Sequence, residues 1–280
     1  RHPEMGAVMP VASLPDGRPL WRRRTTRADL MIWLGWLLAV AFTAFCWRVM
    51  TESTIWAYVW DAPTQMADIG SRMVPPRWSY FPNLVKPLWD TLNIATLGTA
   101  LAIVIAVPIA FLAARNTTPS VTLVRPAALL VIVSSRSINA IIWALLLVSI
   151  LGPGLLAGII AIALRSIGFI GKLLYEAIEE IDKAQVEAIR ATGASGRQTL
   201  AWGIVPQIMP AFAGITVFRW DINIRESTVL GLVGAGGIGL NLEASLNTLA
   251  WPQVTLILLL ILGTVLVSEW TSAKVRHGII

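Results

Sequence analysis

Long apolar segments alternate with shorter polar ones along this 280-residue chain. A helix needs about 20 apolar residues to cross the hydrocarbon core of a bilayer, and six segments reach that length. We predict transmembrane helices at about residues 30–49, 88–114, 124–151, 155–175, 204–232 and 252–270. The pattern therefore predicts an all-α membrane protein with about six transmembrane helices.

The third and fourth of these helices lie in one nearly continuous apolar segment, residues 121–174. A single helix of that length would be roughly 80 Å long, more than twice the thickness of a bilayer. The chain must therefore turn back, and Gly152-Pro153-Gly154 is the expected point of reversal. A second glycine-rich bend is expected at 231–239, followed by a short amphipathic segment at 240–250.

The polar parts of the chain predict its loops. Residues 1–29 are rich in Pro, Gly and Arg, and we expect a cytoplasmic tail there rather than a cleaved signal peptide, because the apolar segment that follows is too long. Residues 30–87 hold the first span and an external loop, with a short interfacial helix expected near 53–73. The segment 176–203 is the longest polar interruption between later spans.

Composition supports the membrane class, since 56% of the residues are apolar and 14% are charged, against about a quarter charged in soluble proteins. The net charge of +6 follows from an uneven distribution of basic residues. Six lie in the N-terminal tail, two in 115–125, four in 172–197 and two near the C-terminus, which is 14 of 22. The positive-inside rule then places both termini and the segment 176–203 in the cytoplasm. Membrane lipid, and not nucleic acid, is the expected partner of this charge.

A short helix is expected within the segment 176–203. Apolar residues such as Val186 and Ile189 alternate there with charged ones, and Gly193 stands where a helix C-terminal glycine is expected. The small residues Ala188 and Ala191 would allow another protein to approach closely. The residues alone leave open whether this helix binds a partner or only faces water.

Two stretches carry a resemblance to a known family. Glu187-Ala188, then Gly193, then Ile204-Val205-Pro206 resemble the cytoplasmic "EAA" loop of ABC importer permeases. Arg219–Gly239 is similar to the distal half of phosphonate-type permeases, and the resemblance covers about residues 88–275. The chain departs from the loop pattern at Ile189, where a second Ala is common, and at Val205, where Leu is common.

The resemblance implies a methionine-importer-like (MetI-like) permease fold over 88–275, with 176–203 as a coupling loop. It implies a transport subunit of the bacterial inner membrane and not an enzyme: two separate ABC ATPase subunits would bind ATP and Mg, so no cofactor or metal is expected in this chain. A second permease subunit, forming a homodimer, and a periplasmic or lipid-anchored substrate-binding protein are the other implied partners. The positions expected to contact the ATPase are Glu187, Ala188, Arg190, Ala191, Gly193 and Pro206.

Several charged residues fall within or near the predicted spans, where facing lipid would cost several kcal/mol each. Asp221 and Arg225 are four residues apart and can form an ion pair, while the position of Arg165 leaves its role open. Arg136 lies in a Ser-rich stretch with no acidic neighbour, which favours contact with an anion. The candidate path residues are Arg136, Ser137, Asn139, Arg219, Asn223, Arg225, Glu226 and Ser227. Whether the charged ones line a path or only lock helices together stays open.

Other function classes have weaker support. The phosphate-loop pattern fails at Gly171-Lys172, where Ser166 and Leu173 occupy required positions. The G-x-G-x-x-G spacing of 234–239 lacks the βαβ unit of a dinucleotide fold. A secondary transporter predicts repeats and midplane carboxylates, and an intramembrane enzyme predicts a His or Cys cluster; the sequence shows neither. A permease for another small solute, such as methionine, phosphite or phosphate, remains an alternative to one for phosphonates.

Overall fold

The computed structural model describes residues 11–13, 19–21 and 26–279. The chain divides into two compact units, Arg1–Met66 and Ala67–Ile280. The first unit contains two short antiparallel strands, β1 (Val11–Ser13) and β2 (Pro19–Trp21), and the helix α1 (Thr26–Thr51). The prediction of a cytoplasmic tail over 1–29 lies largely outside the described residues. Helix α1 contains the first predicted span and is long and apolar enough to cross a bilayer.

Helix α2 (Trp56–Met73) confirms the short helix expected near 53–73, and the boundary between the units falls within it, after Met66. Its polar side chains pair along the helix: Gln65 Nε2 donates to Asp61 Oδ2 at 2.9 Å, and Arg72 forms an ion pair with Asp68 at 2.9 Å. The two members of each pair lie one helical turn apart and so share one face of the helix. The other faces carry the aromatic and aliphatic residues of the segment.

The second unit is helical. A 3₁₀ turn (Trp78–Tyr80) leads into α3 (Phe81–Ala113), which begins seven residues before the predicted span. Pro82 lies in the first turn of α3, where its missing N–H costs no helical hydrogen bond. The other helices are α4 (Val124–Ser137), α5 (Ala140–Leu151), α6 (Leu155–Glu179), α7 (Lys183–Ala191), α8 (Gly196–Thr199), a π-helical turn (Leu200–Ile204), α9 (Val205–Leu230), a 3₁₀ turn (Gly231–Val233), α10 (Ile238–Asn247) and α11 (Trp251–Ile279).

The prediction of one continuous helix over 124–151 is wrong, because α4 and α5 meet at an angle of 87°. The break falls at Ile138-Asn139, directly after the Ser-rich stretch. The side chain of Asn139 accepts a hydrogen bond from Ile141 N at 3.2 Å and so caps α5. The hydroxyl of Ser135 leaves its own helix and donates to the carbonyl of Leu164 on α6. Short polar side chains that bond elsewhere compete with a continuous helix.

The broken pair still forms one crossing. Helices α3 and α6 run in the same direction, since Ile94 packs with Ala161 and Ile162 near one end, whereas Ala110 packs with Leu174 near the other. The segment between two parallel spans must return across the membrane. With the five long apolar helices, α4 and α5 together therefore give the six predicted crossings.

Glycines allow the helices of this unit to approach closely. A Cβ on Gly168 of α6 would lie 2.5 Å from the carbonyl oxygen of Ile132 on α4, and a Cβ on Gly98 of α3 would lie 2.7 Å from Ile162 Cγ2 on α6. Small residues at such crossings are typical of membrane helices. The expected bend over 231–239 is also present: α9 ends at Leu230, α10 begins at Ile238, and Gly234 between them accepts a backbone hydrogen bond from Gly154.

Candidate functional site

The polar segment after α6 folds into a short, well-capped helix, α7. Asp182 begins it, because its side chain accepts a hydrogen bond from Ala184 N at 2.9 Å. Gly193 ends it with φ of +81°, a conformation that glycine adopts without a steric penalty. A second cap follows at once, where Ser195 and Gln198 form a capping box that begins α8.

One face of α7 is anchored and the other is open. Val186 is buried in a cluster at the C-terminal ends of α3 and α6 and the N-terminal end of α9, beside Ile204 and Ile208. Ile189 lies half-buried over Gly203. The residues expected to contact an ATPase are exposed in the structure: Glu187, Ala188, Arg190, Ala191, Gly193 and Pro206. All of them except Gly193 and Pro206 lie on α7, and Pro206 lies in the first turn of α9.

A concavity of about 500 Å³ lies beside the C-terminal end of α7. Trp202, in the π-helical turn, lies on its wall and is 74% exposed. Sequence reasoning missed this residue, although a single tryptophan in a polar segment next to a candidate docking helix is a usable sign of a contact surface. The concavity is lined by Ile189, Thr192, Gly193, Ala194, Gln198 and Trp202.

Direct bonds connect α7 to α9. The backbone N–H of Asp182, the residue that caps α7, donates to Gln207 Oε1 at 2.9 Å. The Nε2 of Gln207 in turn donates to the carbonyl of Gly203 at 2.6 Å. Together with the burial of Val186, these bonds mean that a displacement of α7 acts directly on the first turn of α9.

The second candidate region lies within the membrane spans and centres on Arg219 of α9, which is only 2% exposed. Its Nη2 donates to Glu226 Oε2 at 3.0 Å, and its Nε donates to Ser166 Oγ on α6 at 3.0 Å. The guanidinium carbon also lies 5.1 Å from the centre of the Phe169 ring, within the range of a cation–π contact. A buried arginine is tolerated because the ion pair and these contacts replace its hydration.

Asn223 extends this network to a third helix. It is fully buried, and its Nδ2 donates to Thr99 Oγ1 on α3 at 2.7 Å. The same side chain shares a hydrogen bond with Ser166 Oγ at 3.1–3.2 Å. Helices α3, α6 and α9 are therefore joined at one point by polar side chains that all have partners. Thr99 and Ser166 were not identified from the sequence.

Glu226 carries the network to the break between α4 and α5. Its second oxygen, Oε1, lies 3.5 Å from Nη1 of Arg165, and the same Nη1 donates to Asn139 Oδ1 at 3.0 Å. The structure thus settles the contact of Arg165 that its sequence position left open. A continuous polar chain runs from Thr99 on α3 to Asn139 at the start of α5.

The remaining candidates lie apart from this chain. Asp221 and Arg225 form the ion pair that their spacing predicts, and Asp221 also accepts a hydrogen bond from Ser268 of α11 at 2.7 Å. Ser227 is buried, and within the described part of the chain its hydroxyl bonds only to the carbonyl of Ile224 on its own helix. The structure therefore does not bring Arg225 or Ser227 together with Arg219 and Glu226.

Arg136 lies at the end of α4 and is exposed. Its guanidinium has no hydrogen bond or ion pair with any of the residues the structure describes, and its neighbour Ser137 bonds back to Val133. Within the spans Arg165 and Arg219 share the carboxylate of Glu226, Arg225 pairs with Asp221 apart from them, and Arg136 has no acidic partner among the described residues. The surplus of two positive charges attracts anions.

Comparison with known proteins decides the family. Residues 106–271 match the family described as binding-protein-dependent transport system inner membrane component. This chain belongs to that family. The phosphite transport system permease protein PtxC of Stutzerimonas stutzeri is 38% identical over 249 residues, which cover 87% of this chain and 90% of that protein.

Two further comparisons support the family and the fold. The phosphate-import permease protein PhnE of Mycolicibacterium smegmatis (strain ATCC 700084 / mc(2)155) is 40% identical over 217 residues, 78% of this chain but only 41% of that longer protein. The MetNI methionine ABC transporter, solved in inward-facing conformations, contains a chain with a TM-score of 0.64 at 21% identity, covering 73% of this chain and 99% of that one. The MetI-like permease fold is confirmed.

Family and fold together establish the class of function. The chain is a multi-pass permease subunit of an ABC importer, a transport component rather than an enzyme. A secondary transporter and an intramembrane enzyme are not favoured by these relatives.

Proposed function

We propose that this permease carries phosphonates or a related small oxyanion, such as phosphite, along a path beside the Arg219 network. The observation that supports this most strongly is the positive surplus within the spans, together with the unpaired guanidinium of Arg136. Guanidinium groups bind phosphonate-like oxygens in two-point fashion. The names of the relatives, which refer to phosphite and phosphate transport, point to the same chemical class.

ATP hydrolysis on a separate protein drives this transport. Two ABC ATPase subunits, which bind the ATP and Mg, dock on the exposed face of α7 through Glu187, Ala188, Arg190, Ala191 and Gly193, with Pro206 at the base of α9. Closure of the ATPases moves α7, and the bonds through Gln207 and the burial of Val186 pass this motion to α9. Because α9 carries the arginine network, the motion changes access to the path.

Membership of the family supports our proposal for the remaining parts of the assembly. A second copy of the permease packs against the first as a homodimer in the bacterial inner membrane, and a periplasmic or lipid-anchored binding protein delivers the substrate. The N- and C-termini lie in the cytoplasm with α7. The excess of basic residues on that side of the predicted topology supports this orientation.

The path is tested by Arg136→Ala. The exposed, unpaired side chain contributes nothing to packing, so the variant should assemble normally but lose at least about tenfold in phosphite or methylphosphonate uptake, as expected when a charge-assisted contact with a passing anion is lost. Uptake is measured in cells that carry the complete transporter. Arg276→Ala, which removes an exposed arginine near the end of α11, is the control and should transport normally. Full uptake by Arg136→Ala would remove this residue from the path.

A further inference from the structure

Glu226 occupies an unusual position for a carboxylate in a membrane span, because its two oxygens contact two arginines. One arginine lies on its own helix, α9, and the other lies on α6. Oε2 lies 3.0 Å from Nη2 of Arg219 on α9, and Oε1 lies 3.5 Å from Nη1 of Arg165 on α6. The two arginines are therefore held on either side of a single anionic group.

The two arginines are also supported independently of Glu226. Ser166 and the ring of Phe169 hold Arg219 in place, and Asn139 holds Arg165 through the same Nη1 that faces Glu226. Removing the carboxylate would therefore leave two oriented guanidinium groups facing the space it had filled. A guanidinium has five N–H donors, so each arginine retains donors for a further acceptor.

The chain does not fully enclose this space. Glu226 is 18% exposed and Arg165 is 31% exposed, whereas Arg219 is 2% exposed. The site thus has a buried arginine at its base and a partly open one at its mouth. A buried arginine beside a partly buried one, without any anion, would carry an uncompensated charge, which is unfavourable, so an empty site needs a substitute anion.

We propose that Arg165 and Arg219 form an oxyanion site within the permease, and that Glu226 is a built-in competitor that fills it until a substrate oxyanion displaces it. The ligand class is a small tetrahedral oxyanion with two free oxygens, one for each guanidinium, as in a phosphonate, phosphite or phosphate. This inference rests on the proposed function, since it takes the substrate to be such an anion. Glu226 positions both arginines and lowers the affinity of the site, which allows the anion to leave again.

The test is equilibrium binding of radiolabelled methylphosphonate to the purified transporter, permease with its ATPase, in the absence of the binding protein. Glu226→Gln keeps the size of the side chain but removes the competing charge, so it should bind the anion about tenfold more tightly than the wild type. Glu269→Gln removes the same charge from an exposed position on α11 that has no ion pair among the described residues, and its affinity should stay within about twofold of the wild type. An equal gain in both variants, or no gain in Glu226→Gln, overturns the proposal.

A further variant assigns the gain to the arginine pair. Adding Arg165→Gln to Glu226→Gln should return binding to the wild-type level or below, whereas a retained gain would place the anion elsewhere and contradict the site. If Glu226→Gln does not assemble, Glu226→Asp is measured instead. Its carboxylate is one methylene shorter and cannot contact both arginines, so a smaller gain is expected and no gain overturns the proposal.

Uptake by the wild-type transporter separates this inference from the proposed function. If phosphite or methylphosphonate enters cells through the wild type but Glu226→Gln shows no gain in binding, the internal site is wrong and the substrate class stands. If the wild type imports only an uncharged solute, the substrate class fails and the oxyanion site fails with it.

Discussion

At the scale of single residues, a substitution at Gly193 distinguishes most clearly between an effect on folding and an effect on partner binding. Its φ of +81° is unfavourable for other residues, yet a Cβ there would meet no atom of the permease within 4 Å. Gly193→Asp should therefore leave the permease folded, at a strain cost of about 1–2 kcal/mol, while placing a charged side chain on the surface proposed to bind the ATPase. We expect co-purification with the ATPase to be lost.

The matched control for this prediction is Gly152→Asp. Gly152 has φ of +85° and equally open surroundings, but it lies in the turn between α5 and α6, far along the chain from α7. Both variants place an aspartate at a positive φ but at different locations, so Gly152→Asp should keep its ATPase. Unchanged co-purification of Gly193→Asp, or equal loss in both variants, would contradict docking at the end of α7.

Residue contacts within one helix could be predicted from the sequence, and contacts between helices could not. The pair Asp221–Arg225 follows from a spacing of four residues. The partners of Arg219 and Asn223, which are Ser166 and Thr99, lie 53 and 124 residues away in the chain. Such contacts depend on which faces of α3, α6 and α9 meet, and a sequence pattern does not contain that register.

At the scale of elements, the closest approach of α4 and α6 depends on Gly168. A Cβ there would lie 2.5 Å from the backbone of Ile132 and 2.8 Å from that of Arg136, and a backbone cannot move aside as a flexible side chain can. Gly168→Ala should therefore separate the helices and lower the thermal unfolding midpoint by several degrees, equivalent to about 1–3 kcal/mol. Gly263→Ala of α11, where nothing lies within 4 Å, should leave the midpoint unchanged.

The measurement is the unfolding midpoint of the purified permease in detergent. Equal midpoints for Gly168→Ala and Gly263→Ala would show that α4 and α6 are not held at the distance described here. Because Gly168 lies against the Ser-rich end of α4, the same variant should also reduce uptake, as a displaced α4 moves Arg136 relative to α6.

The elements themselves were largely predictable. Helix positions followed the apolar segments, because a span needs a minimum apolar length, and the reversal at Gly152–Gly154 followed from its turn residues. The 87° bend at Ile138-Asn139 was not predicted. The segment remains apolar enough for one helix, and the bend arises because the side chains of Ser135 and Asn139 bond outside α4. Only the packed structure shows where those bonds go.

At the scale of the whole molecule, two regions are joined by one helix. The first turn of α9 is bonded to the cap of α7 through Gln207, and the distal part of α9 carries Arg219, Asn223 and Glu226. A displacement of α7 therefore also displaces α9, the helix that carries the residues of the proposed path. The permease itself supplies no hydrolysis, so in this account its movement depends on a partner.

Transport by the purified protein in lipid vesicles tests this dependence most directly. Labelled phosphite uptake is measured with the permease alone, with the permease and its ATPase, and with both plus ATP and the binding protein. The account predicts uptake only in the last case, and its loss in Gly193→Asp. Phosphite accumulation by the permease alone, with no ATPase present, would contradict it.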